Sequence, residues 1–355
     1  MIFGILGKHL GKNGENMNIF ITGNLGYNGC ILVRELKERG HFVVGYDSGY
    51  FVNASFFGLR EYLPDIQIMK DIRSISADDL KKYNIEKIVH LSALSNDPLG
   101  DISSGLTMEI NFNSTKNLVK IAKELGISHL LYASSASVYG RLPEGKTATE
   151  TTEVSPLTAY AISKRESENF LKKEQDGKFK VSLMRYSTMF GSSPMLRLDL
   201  VVNNLSAGAF LYNTVKILSD GTPWRPIIHV NDYARITSTF LENGIYGLYN
   251  VGFEELNVQV KDIGARISEI TGAKLQINPE KTPDERSYKV DFSKISESFD
   301  APSVNLNRGI AELIEDFKKY KLTKEQLEEG KFTRLAFLKA LIKQGIINNE
   351  FFYGK

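Results

Sequence analysis

Cysteine, tryptophan and histidine are scarce in this chain. Its 355 residues include one cysteine, Cys30, and one tryptophan, Trp224. A single thiol cannot form an internal disulfide, which fits a reducing compartment and a cytoplasmic protein. The five histidines (His9, His41, His90, His129 and His229) are scattered and show no metal-ligand spacing, so no metal is expected. No apolar run reaches the length of a membrane span. Neither sign of charge dominates. The 44 basic and 42 acidic side chains leave a net +2, which gives no reason to invoke nucleic acid or a membrane as partner. Repeats and low-complexity segments are also missing. What is present is ordinary: 42% apolar and 24% charged residues, in a length that allows one or two domains.

The pattern along the chain starts cleanly at Met17. Residues 1–16 read as a non-native or disordered extension, because the apolar stretch Ile2 to Leu6 is too short for a signal-peptide core and Gly11, Gly14 and Asn16 interrupt any helix. From Asn18 onward short β-rich runs alternate with helical patterns, which predicts a doubly wound parallel sheet. The runs are Asn18 to Thr22, His41 to Tyr46, Ile66 to Met69, Lys87 to Leu91, His129 to Ala133 and Lys180 to Arg185. Helices are expected over Tyr27 to Arg39, Asn111 to Leu125 and Leu198 to Ala207. Ile227 to Val230 and Tyr249 to Val251 read as returns to the sheet. A short strand is expected at Lys274 to Ile277. The charged, helix-rich tail from Leu322 reads as a surface addition or an interface element.

Three local features carry chemistry. The first turn, Thr22-Gly23-Asn24-Leu25-Gly26-Tyr27-Asn28-Gly29, places three glycines between a strand and a helix. That is the setting in which a glycine loop approaches a dinucleotide pyrophosphate and a helix N-terminus faces its phosphates. Gly23, Leu25, Gly26 and Tyr27 are therefore candidate cofactor contacts. The second strand ends at Asp47. A carboxylate there accepts from the adenosine ribose hydroxyls and repels a 2′-phosphate, which favours NAD over NADP. Asp71 and Ile72 follow the third strand where an adenine would lie, and Leu91 and Ala93 would line the cofactor. Finally, Tyr160 and Lys164 stand one helical turn apart on one face. A nearby ammonium favours the phenolate and lowers the tyrosine pKa. Alone, this spacing is equally that of a solvated helix face.

Together, Gly23-x-x-Gly26-x-x-Gly29, Asp71-Ile72-Arg73, His90-Leu-Ser-Ala93, Ser134-Ser-Ala-Ser-Val-Tyr-Gly140 and Tyr160-x-x-x-Lys164 occur in an order and spacing similar to those of the extended short-chain dehydrogenases/reductases. The chain most resembles their NAD-dependent nucleotide-sugar epimerase/dehydratase group, over roughly Met17 to Tyr320. The resemblance implies an α/β fold: a doubly wound parallel Rossmann sheet with a smaller, discontinuous α/β substrate domain. The NAD-binding domain would take residues 17–186 plus about 227–254. The nucleotide-sugar-binding domain would take about 187–226 plus 255–320, with 321–355 a helical tail. It further implies a catalytic trio of Ser135, Tyr160 and Lys164, with Asn111 beside the cofactor. On the substrate side it implies Ser95, Ser137, Thr188, Arg225 and Arg286. Arginine forks suit the phosphates of a nucleotide diphosphate. Asn203 and Leu205 fall either at the nucleotide or on a helix surface, and Trp224 either borders that pocket or simply packs. A homodimer is implied by resemblance only.

The departures from that family narrow the chemistry. Ala136 and Ser137 stand where its 4,6-dehydratases carry acidic residues, and its decarboxylases use a glutamate at the position of Ser137. Cys30, in the glycine-loop helix, does not match the cysteine used by members that invert C3 and C5. Arg185-Tyr-Ser-Thr188 replaces a common Arg-Tyr-Phe-Asn, which puts ordinary UDP-galactose epimerase specificity in doubt. Arg197-Leu-Asp-Leu-Val-Val-Asn203 resembles a branch acting on surface-polysaccharide sugars, one member of which oxidises C4 of a GDP-heptose. The expected chemistry is thus oxidation at a sugar C4, with NAD as hydride acceptor, by an epimerase or by a dehydrogenase that releases the ketone. An enzyme acting on a small alcohol or ketone, and a non-catalytic NAD sensor, remain as alternatives. The paired arginines argue against the first and the intact trio against the second.

Overall fold

Short apolar strands form the centre. β1 (Asn18–Thr22), β2 (Phe42–Asp47), β3 (Ile66–Met69), β4 (Lys87–His90) and β5 (His129–Ser135) are joined in one sheet by the strands Lys180–Tyr186 and Gly247–Val251. The computed structural model describes residues 16–100, 103–143, 145–280 and 287–354. All neighbours in this seven-stranded sheet are parallel, in the order Gly247–Val251, Lys180–Tyr186, β5, β4, β1, β2, β3. Parallel strands covered by helices on both faces read as near-continuous apolar runs, as Ile19, Phe20 and Ile21 do here, all fully buried. The strand order reverses at β1, which pairs with both β2 and β4. In open sheets of this kind a ligand crevice lies beyond the carboxyl ends of the strands at that reversal.

The helices follow from apolar spacing. α1 (Tyr27–Glu38) buries Ile31, Leu32, Val33 and Leu36 on the sheet. The helix expected from Asn111 begins earlier, at Ser104–Met108, and passes through one π-helical turn, Glu109–Asn113, into Ser114–Glu124. Such wide turns recur where a side chain is diverted to a local task, and Asn111 is tied there to the backbone of Leu94.

Two expectations change. The run at Ile227 to Val230 does not return to the central sheet. Trp224–His229 lies between Thr188–Phe190 and Asn257–Gln259 in a separate three-stranded sheet. A β-rich run marks a strand but not its neighbour, and the parallel partner here is the strand that follows directly from Tyr186. A further pair, Thr214–Ile217 with Lys274–Ile277, packs on the helices Val201–Tyr212 and Val260–Thr271. The tail is also no surface addition. Phe332, Leu338 and Phe351 are fully buried or nearly so. The helix Arg334–Lys343 runs back to the first half, where Phe337 meets Phe51 at 5.9 Å between ring centroids. Burying such side chains stabilises by about 1.5–3 kcal/mol each, enough to hold the segment down. No helix among the described residues is long and apolar enough to cross a membrane.

Candidate active site

A cavity of about 660 Å³ runs along the carboxyl ends of the strands, from Asp71 and Ile72 past the glycine loop to Tyr160 and on to Arg225. That volume suits a sizeable organic ligand. The glycine loop forms one wall. Gly23 has φ +76°, and a Cβ there would lie 2.8 Å from the Ser92 nitrogen. A Cβ on Gly29 would sit 2.3 Å from the Gly23 carbonyl oxygen. Only glycine fits either position, so the loop lies flat under the cavity. α1 starts there with no side-chain cap and no acidic residue in its first turn, leaving its N-terminal dipole open to an anion. Asp47 receives the Leu25 N–H at 3.1 Å and the Gly49 N–H at 2.8 Å. Burial pushes its carboxyl up, against the pull of those two donors.

The end expected to take the adenosine is ordered by ion pairs. Asp71 accepts from Arg73 Nε at 2.9 Å and Nη2 at 2.6 Å, and from the Tyr50 hydroxyl at 3.1 Å. Burial opposes its ionisation, but those partners hold it below the usual carboxylate range. Lys70 is engaged with Asp79 at 2.6 Å. Lys70 and Arg73 are thus already paired, which leaves neither of them to attract a 2′-phosphate. The flat loop, the uncapped helix and the Asp47 carboxylate fit NAD.

The helix Ala159–Glu174 carries Tyr160 and Lys164, the residues expected to react. Thr158 caps it by accepting the Ala161 N–H at 3.2 Å, which fixes Tyr160 in the first turn. Ser135 ends β5, and its Oγ accepts the Ser137 N–H at 3.2 Å. Burial pushes the Tyr160 phenol up to about 12, while a hydrogen bond with Ser135 and the Arg197 charge pull the other way. The Lys164 ammonium donates to the Ala133 carbonyl at 2.6 Å and stands 5.8 Å from the Tyr160 ring centroid. Burial lowers it to about 7, with Glu168 opposing. Asp97 pushes the Tyr160 phenol in the same direction as burial.

The cavity lining includes Gly23, Leu25, Gly26, Tyr27, Asp47, Asp71, Ile72, Leu91 and Ala93, together with Ser95, Ser135, Ser137, Tyr160, Lys164, Thr188 and Arg225. Three expected residues do not face it. Asn111 is fully buried and brackets the site from behind, accepting the Leu94 N–H at 2.8 Å and donating to Ser163 Oγ at 2.9 Å. Asn203 is spent on the Gly191 N–H and the Arg197 carbonyl, both at 3.0 Å. Leu205 packs in the core. The helix Val201–Tyr212 instead turns Val201 and Asn204 to the cavity. One residue of phase rotates a helical side chain by about 100°, and an expected start at Leu198 leaves that phase open. Arg286 lies outside the described residues.

Two arrangements were missed from sequence. Arg197 is almost fully buried, forks onto Asp199 at 2.9 and 3.1 Å and reaches Ser95 Oγ at 3.3 Å. Its alternation with Asp199 was the available signal. Behind the site, Arg185 forks onto Glu168 at 2.9 and 2.6 Å and donates to the Tyr139 hydroxyl at 3.0 Å. Glu168 also accepts from Ser134 Oγ at 2.5 Å. This buried cluster ties the end of β5, and so Ser135, to the helix that carries Tyr160. Glu168 lies one turn beyond Lys164, a spacing that hinted at it.

A sequence model of the NAD dependent epimerase/dehydratase family matches residues 19–252. The chain is 25% identical to the UDP-glucuronate 4-epimerase of Thermodesulfobacterium geofontis over 310 residues, covering 82% of this chain and 93% of that protein. It is 24% identical to UDP-glucuronic acid decarboxylase 1 of Arabidopsis thaliana over 327 residues, covering 89% and 73%. Among solved structures, MoeE5 in complex with UDP-glucuronic acid and NAD superposes with a TM-score of 0.71 at 25% identity, covering 85% of this chain and 99% of that one. The Bacillus cereus UDP-glucuronic acid 4-epimerase, solved with UDP-glucuronic acid and NAD, shares the fold with a TM-score of 0.73 at 24% identity over the same shares.

Proposed function

The chain belongs to the NAD dependent epimerase/dehydratase family, and on that footing we propose that it oxidises a nucleotide-diphosphate sugar at C4 and acts as a 4-epimerase through a 4-keto intermediate. The observation that carries this is the pairing of Tyr160 and Ser135 at one point of a cavity that continues to Arg225. NAD, when bound, supplies the hydride acceptor for the sugar carbon. Tyr160 Oη takes the proton of the C4 hydroxyl as the C4 carbonyl forms, and returns it when the alcohol is restored. Ser135 Oγ hydrogen-bonds the reacting oxygen and steadies its charge. Lys164 adds a buried positive charge at the same end, held by the Ala133 carbonyl. Arg225, stacked 5.9 Å from the Tyr288 ring centroid, would hold the diphosphate. Ala136 and Ser137 bring no acid or base beside Ser135, which disfavours elimination and decarboxylation.

A second reading, a C4 dehydrogenase that releases the ketone, is favoured by Thr188 in place of the sugar-side asparagine. One experiment separates the two. The protein is incubated with UDP-, GDP-, CDP- and dTDP-sugars, and products are followed by NMR alongside NADH absorbance. A new C4 epimer without net NADH supports the epimerase. A ketone with stoichiometric NADH supports the dehydrogenase. No change at C4 with any nucleotide sugar overturns both.

A further inference from the structure

The tail places a buried cation in the cofactor cavity. Arg334 opens the helix Arg334–Lys343 and is 3% exposed. Thr333, Arg334, Leu335 and Leu338 all line the cavity, alongside the glycine loop and Asp47. The Arg334 guanidinium lies over the Phe51 ring, 4.3 Å from its centroid, and Nη2 donates to the Met195 carbonyl at 2.7 Å. Its Nη1 is buried and has no partner among the described residues.

The nearby carboxylates do not meet this need. Asp199 is forked by Arg197, and Asp47 is occupied by two backbone N–H groups. Burial holds the guanidinium down to about 9; Arg197 adds repulsion, and Asp199 and Asp47 pull the other way. A buried guanidinium donor left unsatisfied is costly, which marks it as poised for an anion. Two helix ends share that wall. The first turns of α1 and of Arg334–Lys343 both lack a side-chain cap and an acidic residue. Each presents open N–H groups and a positive dipole end.

The tail also covers the adenosine end. The Tyr50 hydroxyl donates to the Phe351 carbonyl, and Tyr50 meets Tyr353 at 5.5 Å between centroids. Arg73, the partner of Asp71, lies 3.7 Å from the Phe352 ring centroid. Leu338 is fully buried in a cluster with Ile72, Leu94 and Ile110.

We propose that Arg334 is a pyrophosphate ligand of the bound dinucleotide, delivered by the C-terminal tail, which straps the adenosine end of the cofactor site shut. Arg334 lies over Phe51, in the segment that follows Asp47, and Phe51, Asp47 and the glycine loop line the same cavity, which assigns it to the pyrophosphate of NAD rather than to that of a nucleotide sugar. The inference rests on the cofactor and not on the sugar chemistry, so it is tested without a sugar substrate.

The test is calorimetric binding of NAD, adenosine and UDP to protein stripped of cofactor, for the full chain and for Arg334→Met, with circular dichroism to show that both fold. A charge-assisted hydrogen bond of this type predicts roughly a 10-fold or greater loss of NAD affinity. Adenosine and UDP affinities should change less than about 3-fold on the same scale. Unchanged NAD affinity overturns the proposal. So does a loss confined to UDP, which moves the arginine to the substrate, and so does tighter NAD binding, which makes the tail a plug. Should Arg334→Met not fold, Arg334→Lys carries the test. Should that variant also fail, Arg334→Gln keeps an amide donor for the Met195 carbonyl but removes the charge, so unchanged NAD affinity in either variant with the tail folded is equally fatal.

Discussion

Lys164 stands one helical turn beyond Tyr160, yet its ammonium is bound to the Ala133 carbonyl at 2.6 Å and lies 5.8 Å from the Tyr160 ring centroid. The two residues can therefore be tested apart. Tyr160→Phe removes the proton acceptor and should lower turnover by roughly 10²-fold or more. NAD affinity should stay near that of the parent. Single-turnover kinetics beside NAD titration checks this, and near-normal turnover would reject Tyr160 as the base. Lys164→Met should lower NAD affinity as well as rate.

Ser135 helps to set the Tyr160 pKa. Its hydrogen bond lowers that pKa against burial, which raises it. In Ser135→Ala the phenol is harder to ionise, so the rise of rate with pH should move to higher pH. A pH–rate profile for both proteins reads this directly. A profile that moves to lower pH, or not at all, contradicts the assigned contact.

The Glu168–Arg185 pair is buried on both sides, with side-chain exposures of 0% and 1%. Removing one partner strands the other charge. Glu168→Gln should therefore cost about 3–5 kcal/mol of stability, the range for breaking a buried pair. Denaturant unfolding measures it, and a loss below about 1 kcal/mol, typical of a surface pair, would show the pair to be dispensable.

Three buried histidines make the fold acid-sensitive. Burial lowers His90 and His129 to about 3 and His229 to about 4. Unfolded, each titrates near 6.5, so the unfolded chain binds protons first as pH falls. Their contribution is intact above about pH 6.5 and is lost progressively towards pH 4, by up to ~1.4 kcal/mol per pH unit per histidine. Unfolding midpoints between pH 7 and pH 5 should fall accordingly, and less steeply in His129→Asn. Equal midpoints at the two pH values would refute this.

Asp47 predicts cofactor choice. Its carboxylate lies in the cavity, Lys70 and Arg73 are paired with Asp79 and Asp71, and Arg334 is assigned to the pyrophosphate. NAD should bind at least about 10-fold more tightly than NADP, a difference of ~1.4 kcal/mol. Tighter binding of NADP in a side-by-side titration would exclude this role.

Local pattern reached the parts of the site that local geometry builds. The glycine loop, the strand-end residues Asp47 and Ser135, and the Tyr160–Lys164 turn all lie within a few residues of the element that orients them. The misses are long-range or depend on phase. Asn204 replaces Asn203 because helix phase was open. The strand at Trp224–His229 changed sheets because a strand pattern names no neighbour. Arg334 was hidden because its partners, Met195 and Phe51, lie far away in sequence.

By itself the sequence determined the alternation of strands and helices, the flat glycine turn and the order of the reactive groups. These depend on hydrophobic period, backbone sterics and spacing along one element, which act over a few residues. Only the tertiary structure decided where the Lys164 ammonium is anchored, which carboxylate holds Arg185, and that the tail returns to the cavity. Those outcomes depend on how buried charges and aromatic rings find partners across the whole chain. Neither composition nor period encodes that pairing one segment at a time.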